Sequence, residues 1–348
     1  MINWYERMLS PKVEIPQPTF YSVQGLIDII IPVFNDRDGL RATLCSIGTL
    51  QKYNIIIVDD CSTDTYDDII AFFQPFHNIS FIRTPSNGGP AVAKNCGIKA
   101  SQNKYIMFID AGDTFLGTNI VAYLEAQFEQ HPYVDFISTA YYEGGSDFSL
   151  KLIPCYHNSW KGKVYRRNYI QRYNLHFTEE SSFSNDDIGM NMLARLISPE
   201  EKILHLDIPS IIWQIDMNSV VRRNNCANAY KDSIMGVAVA TEYALSQGEK
   251  LCLPPYRLLE LNYASMCHIY FSYLSTINAR PEFKEEAFNG AKYYYNKCFK
   301  HSLYDDSLLV QIYNQTYKEF LQGETWSACI ERIPSMSFQD FLMELENS

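Results

Sequence analysis

None of the nine cysteines stands in a CxxC spacing, and their number is odd. The chain therefore offers neither a zinc knuckle nor a disulfide frame, and the thiols read as the reduced set of a cytosolic protein. No apolar run approaches the roughly 18 residues a membrane-spanning helix needs. The opening stretch MINWYERMLSPKVEIPQP carries acids and prolines where a leader would carry an apolar segment, so no secretory signal is expected. Positive charge is scarce: 29 Lys and Arg face 40 Asp and Glu, a net charge of −11. That balance weighs against a protein whose main task is to grip phosphate backbones, although a local basic groove is compatible with it. Repeats and low-complexity segments are absent as well.

What is present is core material. Apolar residues make up 47% of 348, enough for one large domain or two modest ones. Prolines at 11, 16 and 18 forbid a long helix in the first 26 residues, which read as an arm. An alternation follows. Strand-like runs occupy 26–34, 53–60, 78–84, 104–110 and 134–139, and helical spacing occupies 38–50, 65–73, 89–101 and 119–131. Apolar strands alternating with helices of this length predict an α/β fold with a mostly parallel sheet flanked by helices. Ligands of such sheets sit beyond the carboxyl ends of the strands. Asn35, Asp59, Asp60, Arg83, Asp110 and Asp113 all fall at those ends. From about residue 226 the pattern turns helical, and its tyrosine stripes (Tyr263, Tyr270, Tyr273 and Tyr293 to Tyr295) read as interhelix packing.

Four segments in order resemble the inverting GT-A glycosyltransferases of the large family 2 type. They are IIIPVFN (29–35), IIIVDDCSTD (55–64), NGGPAVAKNCGI (87–98) and YIMFIDAGD (105–113). Three later segments extend the likeness: WKGKVYRRNYI (160–170), NDDIGMNMLAR (185–195) and IIWQIDMNSVVRR (211–223). The resemblance implies an arm over 1–26, a GT-A domain over 27–225 and a helical C-terminal region over 226–348. It also implies a sugar transferred from a nucleotide sugar, with UDP favoured, to an acceptor hydroxyl by direct displacement.

The site residues the resemblance implies are these. Asp60 meets the base of the nucleotide, with Pro32, Phe34, Asn35, Lys94, Asp110 and Ala111 completing the donor site. Lys94 stands where the family has arginine, which keeps the charge and loses the planar fork. A divalent cation, Mg²⁺ or Mn²⁺, neutralises the departing diphosphate, with Asp110, Asp113 and Asp216 as ligands. Gly112 stands where many relatives carry the metal-binding acid. Asp187 is the base for the acceptor hydroxyl, and Asp186 occupies the place of the family's glutamate. Trp160, Lys163 and Arg166 are acceptor candidates, and His157 and His176 lie toward the same side.

Acceptors compatible with this reading are a glycan, a lipid-linked glycan, a protein or a modified nucleobase. The last is served by a positive lip from Trp160 to Arg167 with Arg222 and Arg223. Two alternatives stand beside transfer. One is a non-catalytic member that binds a nucleotide sugar or glycan. The other is a nucleotidyl transferase, which would want a basic, glycine-rich signature after the first strand, and PVFNDRDG lacks one. The C-terminal helices are candidates for an acceptor wall or a homo-oligomer contact. Without a Lys/Arg-rich amphipathic face, membrane docking fits them least.

Overall fold

The computed structural model describes residues 25–49, 51–144, 149–155, 159–179, 186–214, 227–279, 281–300 and 337–347. The predicted alternation is present. Strand β1 (Ile27–Val33) leads to α1 (Arg37–Ile47), β2 (Asn54–Asp59), α2 (Asp67–Phe73), β3 (Asn78–Arg83), α3 (Pro90–Ala100) and β4 (Tyr105–Phe108). A short β5 (Thr114–Phe115), α4 (Ile120–Gln130), β6 (Phe136–Gly144), β7 (Leu150–Ile153) and β8 (Lys163–Arg166) follow. Next come α5 (Arg167–Arg172), α6 (Asp186–Ile197) and the long β9 (Ile203–Gln214).

The sheet runs β3-β2-β1-β4-β8-β6-β9-β5, with β7 paired to β6. It is parallel across β3-β2-β1-β4 and again between β6 and β9. The remaining pairings, β4 with β8, β8 with β6, β6 with β7 and β9 with β5, are antiparallel. The sheet is thus more mixed than the alternation alone predicts. Antiparallel strands need no crossover helix, so β7 and β8 can enter on short connections that leave no helical period in the sequence.

All seven residues of β1 are buried, and β4 is buried throughout. Helices cover both faces of this half, which is why the strands read as unbroken apolar runs. Two buried acids fix the end opposite the candidate site. Asp28 accepts from the Ser101 hydroxyl at 2.6 Å, the Gln102 and Asn103 N–H groups at 2.8 and 2.9 Å, and the Asn103 amide at 2.6 Å. Glu125 of α4 accepts the N–H groups of Leu26 and Ile27 at 2.6 and 3.1 Å. Each carboxylate pins a chain turn that would otherwise strand buried donors.

The C-terminal part is helical: α7 (Ala227–Lys250), α8 (Pro255–Ala279), α9 (Lys284–Tyr294) and α10 (Phe338–Asn347). Tyr263, Tyr270, Tyr273 and Tyr294 are fully buried there beside Phe341 and Met266, so the tyrosine stripes are packing. Among the described residues seven cysteines are free.

This helical part docks on the sheet domain through α6. Gly189 faces α7 so closely that a Cβ there would lie 3.2 Å from the Cα and carbonyl oxygen of Ala240. The His176 ring meets Tyr243 of α7 at 5.0 Å between centroids. Replacing Gly189 with valine forces these two backbones apart. Gly189→Val is expected to lower the unfolding free energy by about 1–3 kcal/mol, the usual cost of overpacking. Urea titration of the variant against wild type measures it.

Candidate active site

The residues at the ends of β1, β2 and β4 are held by a chain of polar contacts that starts at β2. Asp59 is fully buried; it accepts the Ser62 N–H at 2.9 Å and is paired with Arg83 at 2.8 Å. Asp60, also buried, accepts from the Thr84 hydroxyl at 2.9 Å and from the Gly88 and Gly89 N–H groups at 3.1 and 2.6 Å. Its carboxylate is engaged with the turn that starts α3. That turn aims Lys94, on the second turn of α3, at the end of β4.

There Lys94 Nζ lies 3.7 Å from Asp110 Oδ1, and Lys161 Nζ lies 4.0 Å from Asp110 Oδ2. Both ammonium groups sit 4.6 Å from the centroid of the Trp160 ring. Lys94 also faces Phe177 at 5.2 Å, and Lys161 faces Trp213 at 4.8 Å. The Lys94 side chain is 2% exposed and that of Lys161 11%, whereas Asp110 is 36% exposed. The carboxylate therefore opens to solvent with two cations behind it.

Asp113 stands on the other side of the turn. Gly112 has φ +95°, a left-handed conformation that glycine adopts without strain, and it brings Asp113 back toward Asp110. Thr43 of α1 clamps the bend. Its hydroxyl accepts the Gly112 N–H at 3.0 Å and donates to the Asp113 carbonyl at 2.7 Å. Asp113 Oδ1 accepts the Gln214 N–H at 3.1 Å, which ties the turn to the end of β9. Asp110 Oδ1 and Asp113 Oδ2 are buried oxygens with no hydrogen-bond partner. Burial pushes the Asp113 carboxyl up to about 7; Lys161 opposes that rise and Asp110 adds to it.

The other predicted donor residues surround this point. Pro32 is the penultimate residue of β1, and its carbonyl receives the Ala111 N–H at 3.4 Å. Phe34 is an exposed ring at 38%. Asn35, at φ 49°, accepts from the Thr63 N–H at 2.7 Å and so holds the loop after β2.

The acceptor candidates fare differently. Arg166 is not at the site. It pairs in register with Tyr105, at the start of β4, and its guanidinium lies over the Tyr105 and Phe128 rings at 5.4 and 5.1 Å. Strand β8 runs antiparallel to β4, so it carries residues away from Asp110 as their numbers rise. Trp160 is 2% exposed and edged by Phe108, so its ring holds the two lysines and is closed to a sugar face. Lys163 is buried and donates to the Ser159 carbonyl. Asp186 and Asp187 open α6, and their side chains lie outside the described residues, as do Asp216, His157, Arg222 and Arg223. His176 accepts or donates at 3.3 Å to the Tyr243 hydroxyl in the α7 interface.

Lys161, Thr43 and Gln214 are the contributors that sequence patterning does not single out. Lys161 was visible only as part of the basic WKGK run; Thr43 sits within an amphipathic helix, and Gln214 acts through its backbone.

The two orphaned carboxylate oxygens fit a hard divalent cation. Mg²⁺ and Mn²⁺ favour oxygen donors, and Mg²⁺ is commonly held by one or two carboxylates with substrate phosphates and water completing its shell. Among the described residues no group of three or more His, Cys, Asp or Glu side chains is placed to hold a metal. Asp110 and Asp113 are the two acids that the described residues bring to this point.

Residues 28–186 match the model described as Glycosyl transferase family 2. A putative teichuronic acid biosynthesis glycosyltransferase, TuaG of Bacillus subtilis, is 32% identical over 108 residues, 30% of this chain and 43% of the relative. The chain thus spans less than half the length of that curated relative. Among solved structures, S. aureus TarS 1–349 in complex with UDP superposes with a TM-score of 0.58 at 16% identity, covering 85% of this chain and 87% of that one. A mannosyltransferase, PcManGT from Pyrobaculum calidifontis with GDP-Man and Mn²⁺, gives 0.51 at 13% identity over 92% and 93%. At these identities the two structures share the fold, GT-A, with this chain.

The Asp113 carboxyl generates a pH prediction. Between its ordinary value of 3.8 and about 7 the folded protein holds a proton that the unfolded chain has released. Its contribution to stability is therefore full below the ordinary value and is lost as pH rises through that window. An Asp113→Asn variant stays neutral throughout. Its unfolding free energy relative to wild type should climb from about pH 4 to about pH 7 and be flat below, read by urea titration in metal-free buffer at several pH values.

Proposed function

We propose that the chain, whose residues 28–186 match the model described as Glycosyl transferase family 2, transfers a sugar from a nucleotide sugar to an acceptor hydroxyl with inversion. The observation that carries the reading is the charge arrangement at the end of β4. A solvent-facing carboxylate is backed by two ammonium groups and flanked by a second acid, at the sheet end where a diphosphate would lie. UDP is the nucleotide we assign, in line with the sequence resemblance and with a UDP complex among proteins of the same fold.

In this mechanism the acceptor oxygen bonds to the anomeric carbon from the face opposite the diphosphate. The bond from that carbon to the terminal phosphate oxygen breaks, and its electron pair leaves with the nucleoside diphosphate. Asp187, at the start of α6, takes the acceptor proton, and Asp186 orients the acceptor. Asp110 and Asp113 would hold the divalent cation, which supplies charge neutralisation to the leaving group when bound. Lys94 draws the phosphates toward the end of β4. The ends of β1 and β2, with Pro32, Phe34 and Asn35, face the nucleoside, and Asp60 holds the Gly88–Gly89 turn beside them.

TuaG is named for the biosynthesis of teichuronic acid, a relative's role that supports a glycan polymer or its lipid-linked precursor as the acceptor class. No described helix is long and apolar enough to cross a membrane. The dispersed free thiols support a cytoplasmic setting.

A donor screen scored by release of the nucleoside diphosphate, followed by trapping of the acceptor with the winning sugar, tests the reading. Nucleotide binding without release from any donor would replace it with a binding module. Asp187→Asn is expected to cut transfer by about 10²–10⁴-fold, the usual worth of a general base, while donor affinity by calorimetry stays near wild type. Unchanged turnover in that variant would remove Asp187 from the role.

A further inference from the structure

We propose that Lys161 is a diphosphate-binding residue, its ammonium sharing with Lys94 the charge of the departing nucleoside diphosphate. The proposal rests on the sugar-transfer reading and extends it to a residue that reading leaves without a part.

The geometry is asymmetric. Lys94 reaches Asp110 from α3, on one side, and Lys161 reaches it from the turn before β8, on the other. Neither ion pair closes to hydrogen-bond distance: the separations are 3.7 and 4.0 Å. Both are therefore loose enough for a phosphate oxygen to enter beside the carboxylate. Burying an ammonium costs several kcal/mol unless something compensates for lost water. Lys161 is compensated by two indole faces, Trp160 at 4.6 Å and Trp213 at 4.8 Å. Cation–π contacts stabilise the charge without using its N–H donors in the way a carboxylate would. The result is a positioned ammonium whose partner, Asp110, is itself the most exposed member of the cluster.

Gly112 contributes no carboxylate to the site, and a Cβ there would meet only Asp36 Oδ2, at 3.7 Å. The turn thus supplies two acids, Asp110 and Asp113, and the site holds a second lysine within reach of Asp110. An ammonium does part of what a cation bound to a third acid would do: it holds the diphosphate before transfer and neutralises it as the bond breaks. Affinity for the diphosphate in the absence of metal follows directly.

Calorimetry in EDTA with the full chain tests this, using the nucleoside diphosphate and monophosphate pair, UDP with UMP or GDP with GMP, that wild type binds. Lys161→Met keeps the aliphatic stem between the two indoles and removes the charge. It should weaken diphosphate binding by about tenfold or more, the worth of one charge-assisted hydrogen bond, and leave the monophosphate close to wild type. Lys161→Arg should recover most of the diphosphate affinity, and it guards against a Met variant that folds poorly. Equal weakening of both nucleotides would show a structural lysine and overturn the proposal, as would undiminished diphosphate affinity in Lys161→Met. Wild type that binds neither nucleoside diphosphate, with or without Mn²⁺, would overturn the sugar-transfer reading itself. Binding by wild type with an unaltered Lys161→Met variant overturns the lysine alone.

Discussion

A carboxylate shared by two largely buried ammonium groups is the contact around which the site is organised. Asp110 draws Lys94 from one helix and Lys161 from a turn that lies 67 residues further along the chain. Without Asp110 two ammonium groups would share the Trp160 ring with no carboxylate between them, and like charges in a low-dielectric setting repel. Without the lysines, Asp110 and Asp113 would stand as neighbouring acids at a buried strand end. The cluster holds because each charge is supported by the others, and it fixes where α3, β4 and β8 meet.

The apolar surroundings explain why this works at the end of a sheet and not in its middle. Phe108 closes β4 and packs edge-on against both Trp160 and Phe177, at 6.2 and 5.0 Å between ring centroids. Those rings exclude water from the back of the lysines while Asp110 keeps its outer side in solvent. The charges thus act through a lowered dielectric on anything that docks in front of them, which is the condition under which preorganised cations stabilise a leaving group. Asn95 reinforces the same wall: its amide donates to the Phe177 carbonyl at 2.9 Å and its carbonyl accepts the Phe177 N–H at 2.9 Å.

Strands β1, β2 and β4 were legible from residue pattern alone, because strands buried on both faces write themselves as apolar runs. The acids at the strand ends were legible for the same reason: Asp59, Asp60, Asp110 and Asp113 break those runs where the chain surfaces. What pattern could not show is which neighbours those acids choose. Asp60 turned inward to the Gly88–Gly89 turn, and Asp113 reached the backbone of Gln214, contacts that join residues 29 and 101 positions apart. Local spacing carries no record of such pairings. The segment WKGKVYRR shows the limit well. Its basic residues read as one positive lip, but a strand carries successive residues along its length and to opposite faces. Lys161, in the turn before β8, ends beside Asp110, while Lys163 turns to the Ser159 carbonyl and Arg166 sits at the other end of β4.

The helical region meets the sheet domain through one helix. Strand β4 and its lysines define where the diphosphate would lie, whereas Asp186 and Asp187 enter on α6, an element that is not part of the sheet. Helix α6 is seated from two directions. Its sheet-side residues Met190, Leu193 and Ala194 are buried with Phe136, Tyr165 and Tyr169, and the Tyr165 hydroxyl donates to Asn191. From the other side Gly189 lets the α7 backbone approach within van der Waals contact. A helix clamped on both faces cannot roll or slide without opening one of two cores, since packed interiors resist small displacements. The C-terminal helices therefore set how α6 is seated against the sheet domain.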